Sequence, residues 1–303
     1  MTQRGRLAEE FQRQRPHLQR VAYAVLGSLS EAEDVVQEAW LRLERQRDPE
    51  AIRDLRAWLT VVVGRLALDA LESARARRER YVGPWLPEPL VGPAHLVAAG
   101  APAAAGEDPA DRLTLDESVS MALLVVLERL SPAERVAFVL HDVFGHTFEQ
   151  TAEVTGRTPA AVRKLVQRAR RHVQAGRPQR PATRQQHQQV ALAFAAACTE
   201  GDLEQLIALL DRDVIWRTDG GGKVSAARQI HRGAGKVARA MLALAAHRPV
   251  QAAYLTDVNG APGLVTRDSD GVLSVISLTL DAGRIVAIDI IRNPDKLIGV
   301  QAP

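Results

Sequence analysis

Between Tyr81 and Arg112 the chain runs YVGPWLPEPLVGPAHLVAAGAPAAAGEDPADR, dense in proline, glycine and alanine and without a sustained helical or strand period. Prolines fix φ and remove backbone donors, so this stretch cannot carry a continuous helix or a central strand. It is therefore expected to be an extended linker rather than a packed element. A second, shorter break, AGRPQRPATR, follows near residues 177–184. The chain reads as modules at 1–80, 113–176 and 185–303, with linkers at 81–112 and 177–184. A length of 303 residues suits two or three such units.

The first module reads as helix from Leu7 to about Arg80. In SEAEDVVQEAWLRL, Ser30 with Glu33 has the spacing of a capping box, and Val36, Ala39 and Leu43 recur at helical intervals. Glu31, Glu33, Asp34 and Glu38 make that segment acidic. A following helix is expected to bury Leu55, Leu59, Val62 and Leu66 and to end in the basic cluster Arg75, Arg77, Arg78 and Arg80. No apolar run approaches twenty residues, and the polar first segment has no leader-like apolar core, so neither a membrane span nor secretion is expected. The lone Cys198 excludes an internal disulfide framework and fits a reducing cytoplasm. Histidine spacing matches no metal motif, and no cofactor is expected. The net charge of +3 says little by itself; its uneven distribution matters more.

The third module differs in kind. Two helical patterns, near Val190–Thr199 and Leu203–Leu210, precede strand-like runs: DVIWRT, QAAYLTDV, GLVTR, VLSVISLTL and RIVAIDIIR. The turns NGAPG, DSDG and DAG supply hairpin residues, so an α+β domain with an antiparallel meander is expected. Cys198 lies on an apolar helical pattern without a neighbouring cation and reads as a core thiol.

The most specific signal lies in HTFEQTAEVTGRTPAAVRKLVQRARRHV. Thr147 and Gln150 form a capping box, Gly156 is placed to end the short helix, and Thr158 with Pro159 starts the next. Val162, Leu165, Val166, Ala169 and Val173 form one face of that second helix. Arg163, Lys164, Gln167, Arg168, Arg170 and Arg171 form the other, without an acid. Two short helices joined by a tight turn, the second basic, suit entry into a DNA major groove. Ahead of them, Met121, Leu123, Leu124, Val126 and Leu127 read as core.

With those residues in view, LGSLSEAEDVVQEAWLRL and LRAWLTVVVGRLALDAL resemble region 2 of the extracytoplasmic-function sigma factors of bacterial RNA polymerase, and LSPAERVAFVLHDVFGHTFEQTAEVTGRTPAAVRKLVQRARR resembles their region 4. WLPEP, DGGGK and NPDKL further resemble a subgroup with a fused SnoaL-like domain of the nuclear-transport-factor-like fold. The resemblance implies two all-α sigma domains followed by an α+β cone. It places Glu33, Asp34 and Glu38 on the surface meeting the polymerase clamp helices, an acidic patch against a basic coiled coil. It makes Arg53, Arg56, Trp58, Arg65 and Asp69 candidates for the −10 strand, where cations and a stacking face suit single-stranded DNA. It assigns Arg163, Lys164, Gln167, Arg168 and Arg171 to the −35 duplex, Arg and Gln suiting base edges and the other cations phosphates. Gly64-Arg65 stand where asparagine is common, and Glu72 where a basic residue is usual, so no −10 sequence preference is carried over.

DGGGK, residues 219–223, superficially resembles a phosphate loop. However, Val224 follows the lysine and the Walker glycine spacing is absent. Glycines that permit positive φ and close approach suit holding another protein segment. The expected partner is the WLPEP linker, so Trp85, Leu86, Pro87, Asp219, Gly220, Gly221, Gly222, Lys223, Asn293, Pro294 and Asp295 are the expected regulatory contacts. On this reading the chain carries its own regulator and needs no separate anti-sigma factor. Two alternatives remain open here. One is a one-component regulator sensing an unknown small ligand. The other is a SnoaL-like enzyme with a DNA-binding arm, its pocket lined by Asp219, His231 and Trp216.

Overall fold

Gly27, at φ 70, ends the first helix, and extended Ser28 starts the second by accepting a hydrogen bond from the Glu31 amide. Helix α1 (Gln3–Leu26) therefore meets α2 (Leu29–Glu44) two residues before the expected Ser30 cap, because the left-handed glycine sets the break. Ser30 lies inside α2. The computed structural model describes residues 3–46, 48, 52–78, 80–92 and 119–303. The side chains of Arg75 and Arg77, linker residues 93–112 and the expected helical start at 113–118 lie outside the described set.

Residues 1–79 and 123–176 form one helical unit. Its third helix, α3 (Leu55–Arg78), buries Leu59, Val63, Ala67 and Leu71, while Leu55, Val62 and Leu66 are half-buried. The expected stripe was one residue out of phase past Leu59. The run Val61-Val62-Val63 makes the helix apolar around much of its girth, so spacing alone leaves its rotation open. Helices α4 (Met121–Leu127) and α5 (Pro132–Phe138) follow, the latter opened by a capping box between Ser131 and Glu134. A π-helical segment, Val139–Val143, leads into α6 (Phe148–Thr155) and α7 (Pro159–Gly176).

Residues 80–122 and 177–303 form the second unit. Helices α8 (Arg184–Glu200) and α9 (Leu203–Leu209) are opened by Thr183 and Asp202 caps. Strands β1 (Leu210–Asp219) and β2 (His231–Arg232) precede α10 (Ala234–His247). Strands β3 (Val250–Val258), β4 (Ala261–Asp268), β5 (Leu273–Asp281) and β6 (Arg284–Ile291) complete a sheet of order β2-β1-β6-β5-β4-β3.

The β3–β6 meander is antiparallel as expected, with left-handed Asn259-Gly260 and Ala282-Gly283 at two of its turns. The expectation of helices first and only a meander after them is corrected in two places. The interposed α10 buries Val237, Ala238 and Met241, and β1 pairs with β6 in parallel. Parallel neighbours need a long crossover, which the whole β2–β5 segment supplies. Phe194, Leu206, Trp216, Met241, Leu264, Leu278 and Ile288 pack into one core between the helices and a sheet face. The half-buried Cys198 packs against this core; burial pushes its thiol up to about 12, so it stays protonated.

Candidate functional site

The helix-turn-helix forms as its local chemistry dictates. Thr147 accepts from the Gln150 amide, Gln150 Oε1 accepts from Thr147, and Gly156 closes α6 at φ 62. Thr158 Oγ1 caps α7 through the Ala161 amide at 3.2 Å. Val162, Leu165, Val166, Ala169 and Val173 are buried, and Arg163, Lys164, Gln167, Arg168, Arg170 and Arg171 are exposed. Neighbouring elements do bring acids to this face. Asp142 of the π-helical segment takes Arg170 through two bonds of 2.8 and 2.6 Å, Glu134 lies 3.6 Å from Arg168, and Glu149 lies 3.9 Å from Arg163. Among the described residues, Lys164 and Arg171 carry no ion pair.

The −10 candidates lie along α3 and the loop before it. Arg53, Arg56, Arg65 and Asp69 are exposed and Trp58 is half-buried. Trp58 and Arg53 line a cleft of about 460 Å³ whose other wall is His146, Gln150, Glu153 and Val154, part of the helix-turn-helix. Arg65 donates to the Glu153 carbonyl at 3.3 and 2.9 Å, and Gly64 backs onto Val154 so closely that an added Cβ would sit 2.7 Å from it. At the far end of α3, Arg78 donates to Glu128 and to the Leu26 carbonyl, and buried Arg135 donates to the same Glu128. Burial pushes the Arg78 pKa down, and the Glu128 carboxylate opposes that. The middle of α3 is thus fastened to the first helix of the helix-turn-helix, and its C-terminal end to Glu128 and to the end of α1.

On α2, Ala32, Val35, Val36, Ala39 and Leu43 face inward. Glu33 and Asp34 are exposed and carry no ion pair among the described residues. Glu38 is committed to Arg42 at 3.1 Å.

The glycine loop follows β1 directly, so Asp219 ends a strand and the loop begins at fixed position. Asp219 is fully buried and accepts four bonds. Oδ1 takes the Tyr81 hydroxyl at 2.6 Å and the Gly221 amide at 3.0 Å; Oδ2 takes the Leu86 amide at 2.9 Å and Lys296 Nζ at 2.8 Å. Lys296 also donates to the Leu86 carbonyl and sits 3.9 Å over the Trp85 ring, a cation–π contact. Burial and the Asp219 carboxylate together raise the Tyr81 pKa, so its hydroxyl stays a donor. Gly222, at φ 72, faces Val82, and Gly221, at φ 62, leaves room only for the Asn293 side chain.

Of the expected regulatory residues, Asp219, Gly221, Gly222, Trp85, Leu86 and Asn293 meet around this point. Lys223 does not: it pairs with exposed Asp295 at 2.5 Å, inside its own domain. A long side chain on an exposed turn reaches the nearest carboxylate, and here that is in NPDKL. Tyr81 and Lys296 were missed. Lys296 stands one residue beyond Asp295 in a stretch already singled out, and Tyr81 opens the linker. Both carry the polar tip on an apolar body that suits a half-buried contact.

Trp216 and His231 stack with ring centroids 4.9 Å apart, and Trp216 Nε1, His231 Nδ1 and Thr218 Oγ1 are buried without a hydrogen-bond partner among the described residues. Asp219 does not join them. Alternate strand residues face opposite sides, which separates it from Trp216 and Thr218, and its oxygens are already occupied.

Residues 11–77 match the Sigma-70 region 2 family and residues 120–173 the Sigma-70 region 4 family. The chain is 42% identical over 307 residues to the ECF RNA polymerase sigma factor SigJ of Mycobacterium tuberculosis, covering 96% of this chain and 93% of that protein. It is 35% identical to the probable ECF RNA polymerase sigma factor SigI of the same species, covering 100% and 98%. The crystal structure of M. tuberculosis SigJ superposes with a TM-score of 0.74 at 38% identity, covering 96% of this chain and 98% of that one. With paired region 2 and region 4 modules and relatives matched along nearly their whole length, this chain belongs to the extracytoplasmic-function family of RNA polymerase sigma factors.

Proposed function

We propose that the chain is a promoter-specificity subunit of bacterial RNA polymerase whose third domain regulates it by gripping the linker between its two DNA-reading modules. Glu33 and Asp34 meet the basic clamp helices of the core enzyme, with Glu38 as a partner that must first leave Arg42. Arg53, Arg56, Trp58 and Arg65 hold the melted −10 strand, with Asp69 at the edge of that path. Lys164, Gln167, Arg171, Arg163 and Arg168 read and grip the −35 duplex. Phosphodiester chemistry belongs to the polymerase; the chain contributes placement.

One observation carries the regulatory part: a fully buried carboxylate, Asp219, takes a hydroxyl and an amide from the linker and an ammonium from the penultimate turn. A buried charge with every oxygen satisfied is a stable anchor, and removing one partner is costly. A regulator held this way needs no separate inhibitory protein. Run-off transcription with core polymerase tests the reading. The full chain is compared with a chain ending before Asn293, which lacks Lys296, and with Asp219→Ala. Both changes should alter transcript yield while core-enzyme binding persists. Equal yield from all three refutes regulation by the linker grip, and failure of the full chain to bind core enzyme refutes the sigma assignment.

A second reading of the third domain rests on the buried, unpartnered Trp216, His231 and Thr218 polar atoms, which suit a small polar ligand acting as a sensor input. Isothermal titration of the full chain with metabolite pools tests it; absence of any saturable heat refutes it.

A further inference from the structure

Asn259 occupies the β3–β4 turn at φ 50 and is buried. Its position suits the turn, because a two-residue hairpin needs left-handed residues and asparagine tolerates that conformation. Its other contacts serve no hairpin. The Asn259 amide donates to the Leu90 carbonyl at 2.8 Å, and Oδ1 accepts from the Leu90 amide at 3.1 Å. Nδ2 donates to the Val119 carbonyl at 3.3 Å. Leu90 and Val119 lie on opposite sides of residues 93–118, so one asparagine holds both ends of the middle of the linker. Adjacent bonds reinforce the entry side. Gly92 donates to the Asp257 carbonyl at 2.9 Å, and Val91 bridges Val258, which extends the edge strand β3 by a short antiparallel pair.

We propose that Asn259 is a specificity-determining residue for promoter spacing, because it fixes how far region 2 and region 4 can part. At about 3.4 Å per residue, the backbone from Arg78 to Met121 spans up to about 145 Å. With Leu90 and Val119 held side by side, only the stretches outside them count, and the span falls to about 55 Å. Each base pair added between the −10 and −35 elements moves them about 3.4 Å apart along the duplex. The closed staple therefore places a ceiling on the spacer lengths that both modules reach together. Opening it raises that ceiling, until residues 177–183, which tie region 4 to the same domain, become taut. The proposal rests on the promoter-reading function above and adds a residue and a readout to it.

The test uses full-length protein with core polymerase. Templates keep constant −10 and −35 elements, chosen by the wild-type chain from a randomised pool, and vary the spacer by single base pairs. Asn259→Gly keeps the left-handed backbone and the amide bond to Leu90 but removes both side-chain bonds. Asn259→Asp keeps the acceptor for Leu90 and removes the donor to Val119. Both variants should broaden the profile towards longer spacers, raising transcript there about fivefold relative to the optimum, the population change for losing roughly one buried hydrogen bond. A merely structural role would lower yield at every spacing without reshaping the profile, and that result overturns the proposal. An unchanged profile overturns it too. No transcript from the wild-type chain at any spacing overturns the promoter-reading function and this inference with it.

Discussion

Asp219→Asn is nearly isosteric, yet it should release the linker. The carboxylate presents two acceptor oxygens to four donors: Tyr81 and Gly221 on one, Leu86 and Lys296 on the other. An amide offers a single acceptor, so in either orientation its NH2 faces two donors. Lys296, with its side chain 10% exposed, loses the Asp219 carboxylate and keeps the Leu86 carbonyl and the Trp85 ring. Removing one partner of a buried pair costs about 3–5 kcal/mol. The linker's remaining contacts at Val82, Leu90 and Gly92 are untouched, so the loss is local, and we take about 3–4 kcal/mol. At 1.36 kcal/mol per decade this lowers the protection of the Leu86 amide by two to three orders of magnitude. Hydrogen exchange followed by mass spectrometry on peptides spanning residues 81–92 measures it. Protection within threefold of wild type would mean that the carboxylate does not anchor the linker, and the regulatory reading would fail with it.

Lys223→Ala, by contrast, breaks an ion pair whose side chains are both more than half exposed and should cost no more than about 1 kcal/mol in chemical denaturation; a larger loss would assign Lys223 a contact beyond Asp295. Two glycine-to-alanine changes separate strain from crowding. Gly156→Ala has open space and should cost only the left-handed penalty, about 1–2 kcal/mol. Gly221→Ala places a Cβ 2.5 Å from Asn293 and should lower the melting temperature clearly further; equal losses refute the crowding argument. Burial, then Arg56, Arg20 and His146, hold the His17 pKa down to about 4 from 6.5, so the fold keeps this ring neutral. The unfolded chain takes up the proton as pH falls below 6.5, so stability is full above that value and declines towards pH 4. His146 is shifted in the same direction, mainly by burial. His17→Phe should flatten the melting-temperature slope between pH 6.5 and 4, and an unchanged slope refutes the assignment.

What could be read from the chain beforehand was local. Thr147, Gln150, Gly156, Thr158 and Pro159 act within one turn of themselves, so the helix-turn-helix follows from their order. The same locality misplaced the α2 cap, because Ser28 and Ser30 both suit a helix start and only the Gly27 backbone decides between them. The rotation of α3 was illegible because three consecutive valines blur its period. The parallel β1–β6 pairing joins residues about seventy positions apart, and no short pattern encodes it. The basic face of α7 was read without its acids because Asp142 and Glu134 come from elements upstream. Around Asp219 the sequence indicated the loop and the linker but not the cation. Lys223, beside the glycines, points to Asp295, and Lys296, far along the chain, completes the anchor.

That far position has a consequence in time. Asp219 cannot be fully satisfied until Lys296 exists, and β1 has no parallel neighbour until β6 is made. Both belong to the final stretch of the polypeptide. At roughly 5–20 residues per second, translation needs about 10–40 s to travel from the end of the WLPEP segment to Lys296. Over roughly the last 120 of those residues, about 6–24 s, both DNA-reading modules have been made while the grip on their linker does not yet exist. A newborn molecule therefore passes through an ungripped phase that a finished molecule leaves behind.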